Sequence, residues 1–304
     1  MAHSTGTSSK ENLIGSLWMI AAMAAFAIED ALVKDAAQTL PVGQVLALFG
    51  LGGMFLFAGM LKFNREPLFI KDVVSLPMRI RIVFEVIGRL FYVLAIAFIP
   101  LSTATVILQA TPLVVVTGAV LFLGEKVSPV RWLAIFVGLL GVILIVQPGA
   151  DGFSQLSLLA VIGMIGFAGR DLASRMAPPT IGTARLGFYG FLSVLISGLI
   201  YSSWAGEVYR LPTQFELVSI VIATVAGVMA YSCLMKAMRT GEVSAVTPFR
   251  YTRLLFGCSL GLLFFGEEFT TSMLIGSALI VSSGLFIGWR SKKTVQSEVV
   301  VREG

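Results

Sequence analysis

At 304 residues, 57% hydrophobic and only 13% charged, with a mean hydropathy of +0.91, the chain is too apolar to coat a soluble core with polar surface, and it reads as a polytopic membrane protein. One histidine, His3 in the polar N-terminal stretch, and two cysteines inside apolar runs, Cys233 and Cys258, predict no metal site, no cofactor and no disulfide framework. The formal net charge of +5 has a topological origin, given below, rather than being a nucleic-acid footprint.

Ten apolar segments lie near 13–34, 43–61, 80–98, 102–122, 130–146, 156–173, 182–201, 216–238, 244–265 and 271–289. Most approach the roughly 20 helical residues that cross about 30 Å of hydrocarbon. Their continuity, without alternation, favours helices over a barrel. The first contains AAMAAFA, which has the small residues of a signal cleavage site, but little positive charge precedes it and cleavage would sever a segment that the second half repeats.

Several segments carry charge where an uncompensated ion costs at least about 2.5 kcal/mol. Segment one holds Glu29, Asp30 and Lys34; segment three, Glu85 and Arg89; segment six, Arg170 and Asp171; segment nine, Arg250 and Arg253. Spacing of i, i+4 predicts internal ion pairs for Asp30 with Lys34, Glu85 with Arg89, and Asp171 with Arg175. Arg250 and Arg253 have no acid in their own segment, so they require Glu85 or Asp171 from another helix, an anionic group on a solute, or a path for snorkelling. Gln109 and Tyr251 stand at matching places in segments four and nine, beside Pro112 and Pro248. Tyr251 offers either a stacking surface for an aromatic or cationic solute or a packed ring with one bonded hydroxyl.

The chain repeats itself. FAIEDALVK at Phe26–Lys34 returns as FAGRDLASR at Phe167–Arg175, an offset of 141, and LSTATVILQATP through FLGEKV at Leu101–Val127 returns as VSAVTPFRYTRL through FFGEEF at Val243–Phe269, an offset of 142. Five spans separate equivalent segments, and because five is odd the second half enters the membrane inverted. The expected layout is a tail at 1–12, a five-helix repeat at 13–146, a linker at 147–155, a second repeat at 156–289 and a tail at 290–304. Each fourth helix ends in a Gly-Glu pair, Gly124-Glu125 and Gly266-Glu267, where Gly stops the helix and Glu faces the N-terminus of the next. Fifteen Lys and Arg residues fall on the side of both termini and only Arg210 on the other, which puts both termini in the cytoplasm.

Two halves of five helices, the Gly-Glu turns and the small-residue fifth helices (GLLGVILIV, ALIVSSGLFIG) resemble the drug/metabolite transporter superfamily, specifically its EamA-type ten-helix carriers, over about residues 13–290. The resemblance implies an all-α polytopic membrane protein of ten transmembrane helices in two inverted five-helix repeats, in a bacterial inner membrane. It also implies a central cavity and transport of small organic solutes, often export. PFRYTRLLFG and GRDLASR resemble a subgroup of metabolite carriers for S-adenosylmethionine, riboflavin or amino acids.

The chain has no GxxxxGK[ST], GxSxG or HExxH, so an enzyme is not expected and uphill movement draws on an ion or solute gradient. The expectation is a secondary transporter of an amino-acid-like or otherwise carboxylate- or phosphate-bearing solute, with export ahead of uptake. Uptake of S-adenosylmethionine or riboflavin is the alternative, and a membrane scaffold the non-carrier one. Arg250, Arg253, Tyr251, Gln109, Arg89 and Glu85 are the candidate solute contacts. Asp30, Asp171, Glu29, Lys34 and Arg170 are the candidates for coupling or gating, since a desolvated carboxyl can carry a proton. The partners expected are a small-molecule solute, the lipid bilayer and, in a homodimer, a second copy of the chain, with no nucleic acid.

Overall fold

The computed structural model describes residues 9–124, 128–147, 154–178, 180–240 and 246–286, all helix or connecting turn without a strand. The first half runs α1 (Ser9–Ala37), α2 (Val42–Phe63), a 3-10 turn (Lys71–Val74), α3 (Leu76–Phe98), α4 (Leu101–Leu108), α5 (Thr111–Leu123) and α6 (Pro129–Val146). The second runs α7 (Ser157–Arg175), α8 (Thr183–Ala205), α9 (Gln214–Thr240), a 3-10 turn (Thr247–Tyr251), α10 (Thr252–Phe265) and α11 (Thr271–Phe286).

Segments four and nine, expected as single helices, are each interrupted, segment four after Leu108 and segment nine close to its start. Pro112 cannot bond the carbonyl four residues back, and the Thr111 hydroxyl takes the Leu108 carbonyl instead at 2.5 Å, so α4 ends and α5 begins. Pro248 sits in the 3-10 turn that opens segment nine. Six spans, with α4 and α5 counted together, are long and apolar enough to cross a membrane, and α6 and α11 are shorter apolar helices. Helix α3 has the length but carries Arg79, Arg81, Glu85 and Arg89, and it depends on partners to hold those charges in lipid.

The helices pair across the halves: α1 packs on α9, α2 on α8 and α3 on α7. That is the pattern of a two-fold relation, in which α1–α9 exchanges with α7–α3 and α2–α8 maps onto itself. Glycines set the closest approaches, for a Cβ on Gly50 would stand 2.4 Å from the Leu195 amide nitrogen and one on Gly166 2.4 Å from that of Gly88. Phe49 and Phe57 of α2 close on Phe191 of α8 with ring centroids 5.1 and 5.7 Å apart. Helix ends repeat as well. Arg65 and Gly206, 141 apart, both take left-handed backbone, and the next residues close the same turn, with Glu66 N–H to the Leu61 carbonyl at 2.9 Å and Glu207 N–H to the Ser202 carbonyl at 3.0 Å. Gly124 and Gly266 end α5 and α10 in the same conformation.

The N-terminus of α1 defines what is here called the proximal face of the bundle, and its C-terminus the distal face. The ends of α1, α3, α8 and α10 and the starts of α2, α4 and α9 are bonded to one another on the distal face.

Candidate functional site

Charged side chains from α1, α3, α7 and segment nine meet inside the bundle in two groups. The first centres on α1. Asp30 accepts a bond from Arg253 at 2.5 Å and another from the Tyr92 hydroxyl at 3.0 Å, and Arg89 donates to Glu29 at 2.7 Å. The acid side chains are 1% and 2% exposed for Glu29 and Asp30. Rings cover the guanidinia: Phe26 and Tyr92 lie 5.0 and 5.8 Å from Arg253, and Phe49 and Phe167 lie 5.5 and 5.9 Å from Arg89. Two acids face two bases, so the group is neutral and shut. Gly227 of α9 lets it close, since a Cβ there would come within 3.1 Å of Glu29 Oε2.

The second group centres on α7. Glu85 lies between Arg81, at 3.3 Å, and Arg170, at 3.2 Å. Arg170 also holds Asp171 Oδ1 through Nε at 3.0 Å and Nη2 at 2.8 Å, with the Phe167 ring 4.7 Å away. Arg81 further donates to the Ser174 hydroxyl at 3.1 Å, while its Nη1 is buried without an acceptor. Arg250 approaches Asp171 Oδ2 only to 3.9 Å, and no side-chain hydrogen bond is made by it among the described residues. Among the described side chains, three guanidinia thus face two carboxylates. The Asp171 and Arg250 side chains keep 26% and 31% of their surface accessible.

Sequence spacing misassigned the partners. Asp30 pairs with Arg253 rather than Lys34 because α10 packs against α1 and brings a nearer base, and Glu85 pairs with Arg81, one turn earlier on the same helix, and with Arg170 of α7 rather than with Arg89. The expected Asp171–Arg175 pair lies outside the described side chains. Lys34 instead donates to the carbonyls of Ile96 and Ile99 at 2.8 and 2.7 Å and stands 3.9 Å from Glu267. Glu267 does not face the next helix: it accepts the N–H groups of Leu101 at 2.5 Å and Ser102 at 2.9 Å, at the start of α4 in the other half. Glu125 lies outside the described residues.

Gln109 and Tyr251 part company. Gln109 Nε2 donates to the Arg250 carbonyl at 3.0 Å, tying the two broken segments together just where Arg250 emerges. The Tyr251 phenol rests on Gly284 of α11, where a Cβ would overlap its oxygen, so the ring is spent on packing. Arg253 is likewise spent on Asp30, which leaves Arg250 as the arginine of segment nine that has no hydrogen-bonded acid among the described residues.

Arg81, Tyr92 and Glu207 were missed by sequence reasoning. Arg81 carried a usable signal, since 81, 85 and 89 form one charged stripe along α3. Tyr92 and Glu207 carried none, for their partners Asp30 and Gly43 are 62 and 164 residues away.

The EamA-like transporter family matches residues 13–147 and 156–289. The chain is 28% identical over 282 residues to the riboflavin transporter of Rhizobium johnstonii, covering 90% of this chain and 91% of that one. It is 27% identical over 212 residues to the S-adenosylmethionine uptake transporter of Rickettsia bellii, covering 70% and 72%. It is also 28% identical over 286 residues to the pseudopaline exporter of Pseudomonas aeruginosa, covering 92% and 97%. A crystal structure with 17% identity superimposes over 89% of this chain and 94% of its own at a TM-score of 0.59, a likeness of fold.

Proposed function

This chain belongs to the EamA-like transporter family, and from that premise we propose that it carries a small organic solute bearing a carboxylate or phosphate across the cytoplasmic membrane by alternating access, outward in preference to inward. The two repeats, 13–146 and 156–289, supply opposite walls of the path, and the proximal face is the cytoplasmic one by the distribution of Lys and Arg.

The observation that carries this reading is the α7-centred group, where a surplus guanidinium with unused donors meets accessible surface. An anionic group on the solute supplies the missing charge and takes Arg250 in a two-pronged bond. Asp171 is then the candidate proton carrier, because a solute anion on Arg250 offsets one of its basic neighbours; Asp30 is closed off by Arg253 and Tyr92. Uptake is the second reading, favoured by the relative named as an S-adenosylmethionine uptake transporter.

The test is thermal stabilisation of the purified protein against amino acids, organic acids, sugar phosphates, riboflavin and S-adenosylmethionine. A ligand that binds only the folded state raises its apparent stability by mass action. An anionic hit that disappears in a folded Arg250→Ala variant supports the reading. A hit restricted to uncharged solutes, or one unchanged in that variant, overturns the role of Arg250.

A further inference from the structure

We propose that Glu267, together with Lys34, is the latch that holds the distal face closed, and that this face opens only when the Glu267 carboxylate leaves the N-terminus of α4. Four elements from both halves meet at this carboxylate. Its two oxygens accept the Leu101 and Ser102 N–H groups, which have no partner inside α4 because they belong to its first turn. Lys34 of α1 stands beside it and ties the last carbonyls of α3, and the left-handed Gly266 with the Glu267 N–H to Gly261 carbonyl bond fixes where the acid projects from α10. Separating the halves at this face therefore requires the carboxylate to surrender two helix N–H groups at once.

A second acid behaves in the same way nearby. Glu207, past the end of α8, accepts the Gly43 N–H at the start of α2 at 3.0 Å and the Ser202 hydroxyl at 2.9 Å. Its equivalent by the repeat, Glu66 on the proximal face, reaches only Arg185 among the described residues, at 3.4 Å, and its side chain is 42% exposed. In this pair the distal acid is engaged with a helix start and its proximal equivalent is not, and the α7-centred site keeps its accessible surface while the distal ties are made. A purely structural cap would not need to bridge the halves.

Gly261 provides a way to move the latch without changing any charge. A Cβ at this position would stand 2.4 Å from Glu267 Oε2, and the tip of that flexible side chain is what must give way. The experiment uses the full chain in proteoliposomes with Cys233→Ser and Cys258→Ser, and a Ser102→Cys reporter, Ser102 being wholly buried behind the carboxylate. A membrane-impermeant thiol reagent is applied from the distal side. Labelling is expected to be slow in the parent and at least tenfold faster with Gly261→Ala or Glu267→Gln, and about threefold faster with Lys34→Met, which leaves the α4 contacts in place. Rates within twofold of the parent in folded Gly261→Ala and Glu267→Gln proteins overturn the proposal. Failure of both to fold does so as well, for the acid would then be a structural cap. The readout needs no transported solute, so the result stands apart from the fate of the Arg250 site.

Discussion

Asp30 and Asp171 occupy equivalent positions in the two repeats, each four residues after a Phe, yet one lies in a sealed pocket and the other at an accessible edge. The residue before each explains the divergence: Glu29 in the first copy, Arg170 in the second. An added acid on α1 demands a base from each neighbour, and Arg89 and Arg253 answer, closing a neutral quartet. An added base on α7 satisfies Asp171 internally, so that Arg250 arrives with nothing left to bond. A single reversal of charge thus turns a repeated motif into a sealed brace on one side and an accessible, unevenly charged edge on the other.

Breaking the brace has the largest expected effect. Asp30→Ala leaves Arg253 buried without its acid and is expected to cost about 3–5 kcal/mol, seen as loss of monodisperse protein or a large fall in unfolding temperature. On the other side, Arg250→Ala is expected to leave the unfolding temperature of the unliganded protein nearly unchanged and to weaken binding of an anionic ligand at least about tenfold, or ~1.4 kcal/mol, by titration calorimetry. Gln109→Leu tests the tie between the broken segments. Loss of its bond to the Arg250 carbonyl is expected to cost about 1 kcal/mol in stability and to weaken the same ligand by a smaller factor, because Arg250 is then less well held. Smallest is Glu66→Gln, whose exposed pair with Arg185 is expected to contribute under about 0.5 kcal/mol to thermal unfolding. A large loss there would erase the contrast between the two faces.

The helical, polytopic architecture was legible because hydropathy and the repeat offset are each summed over many residues. The charges in the spans were legible as unusual, and so was Arg250 as an arginine without an acid in its own segment. Partner choice was not. Within one helix the i, i+4 rule sees only the neighbours along the chain, whereas Asp30 finds its base 223 residues away and Gln109 its carbonyl 141 residues away. The role of Glu267 was hidden for the same reason: a Gly-Glu turn reads as a local cap, and nothing local says that the helix it caps lies in the other half. Tyr251 and Arg253 look as available in sequence as Arg250, and only the packing against Gly284 and Asp30 removes them.

The separation between Asp30 and Arg253 also bears on how the protein is made. At roughly 5–20 residues per second of synthesis, the 223 residues between them take about 11–45 s to emerge. For that interval α1 has entered the bilayer with its carboxylates, while the arginine that will neutralise Asp30 has not been translated. During biogenesis the nascent first half has to shelter this acid, either protonated or against the insertion machinery, until segment nine arrives. A ribosome stalled before residue 253 should therefore present a first half that is far more readily extracted or degraded than one stalled after it.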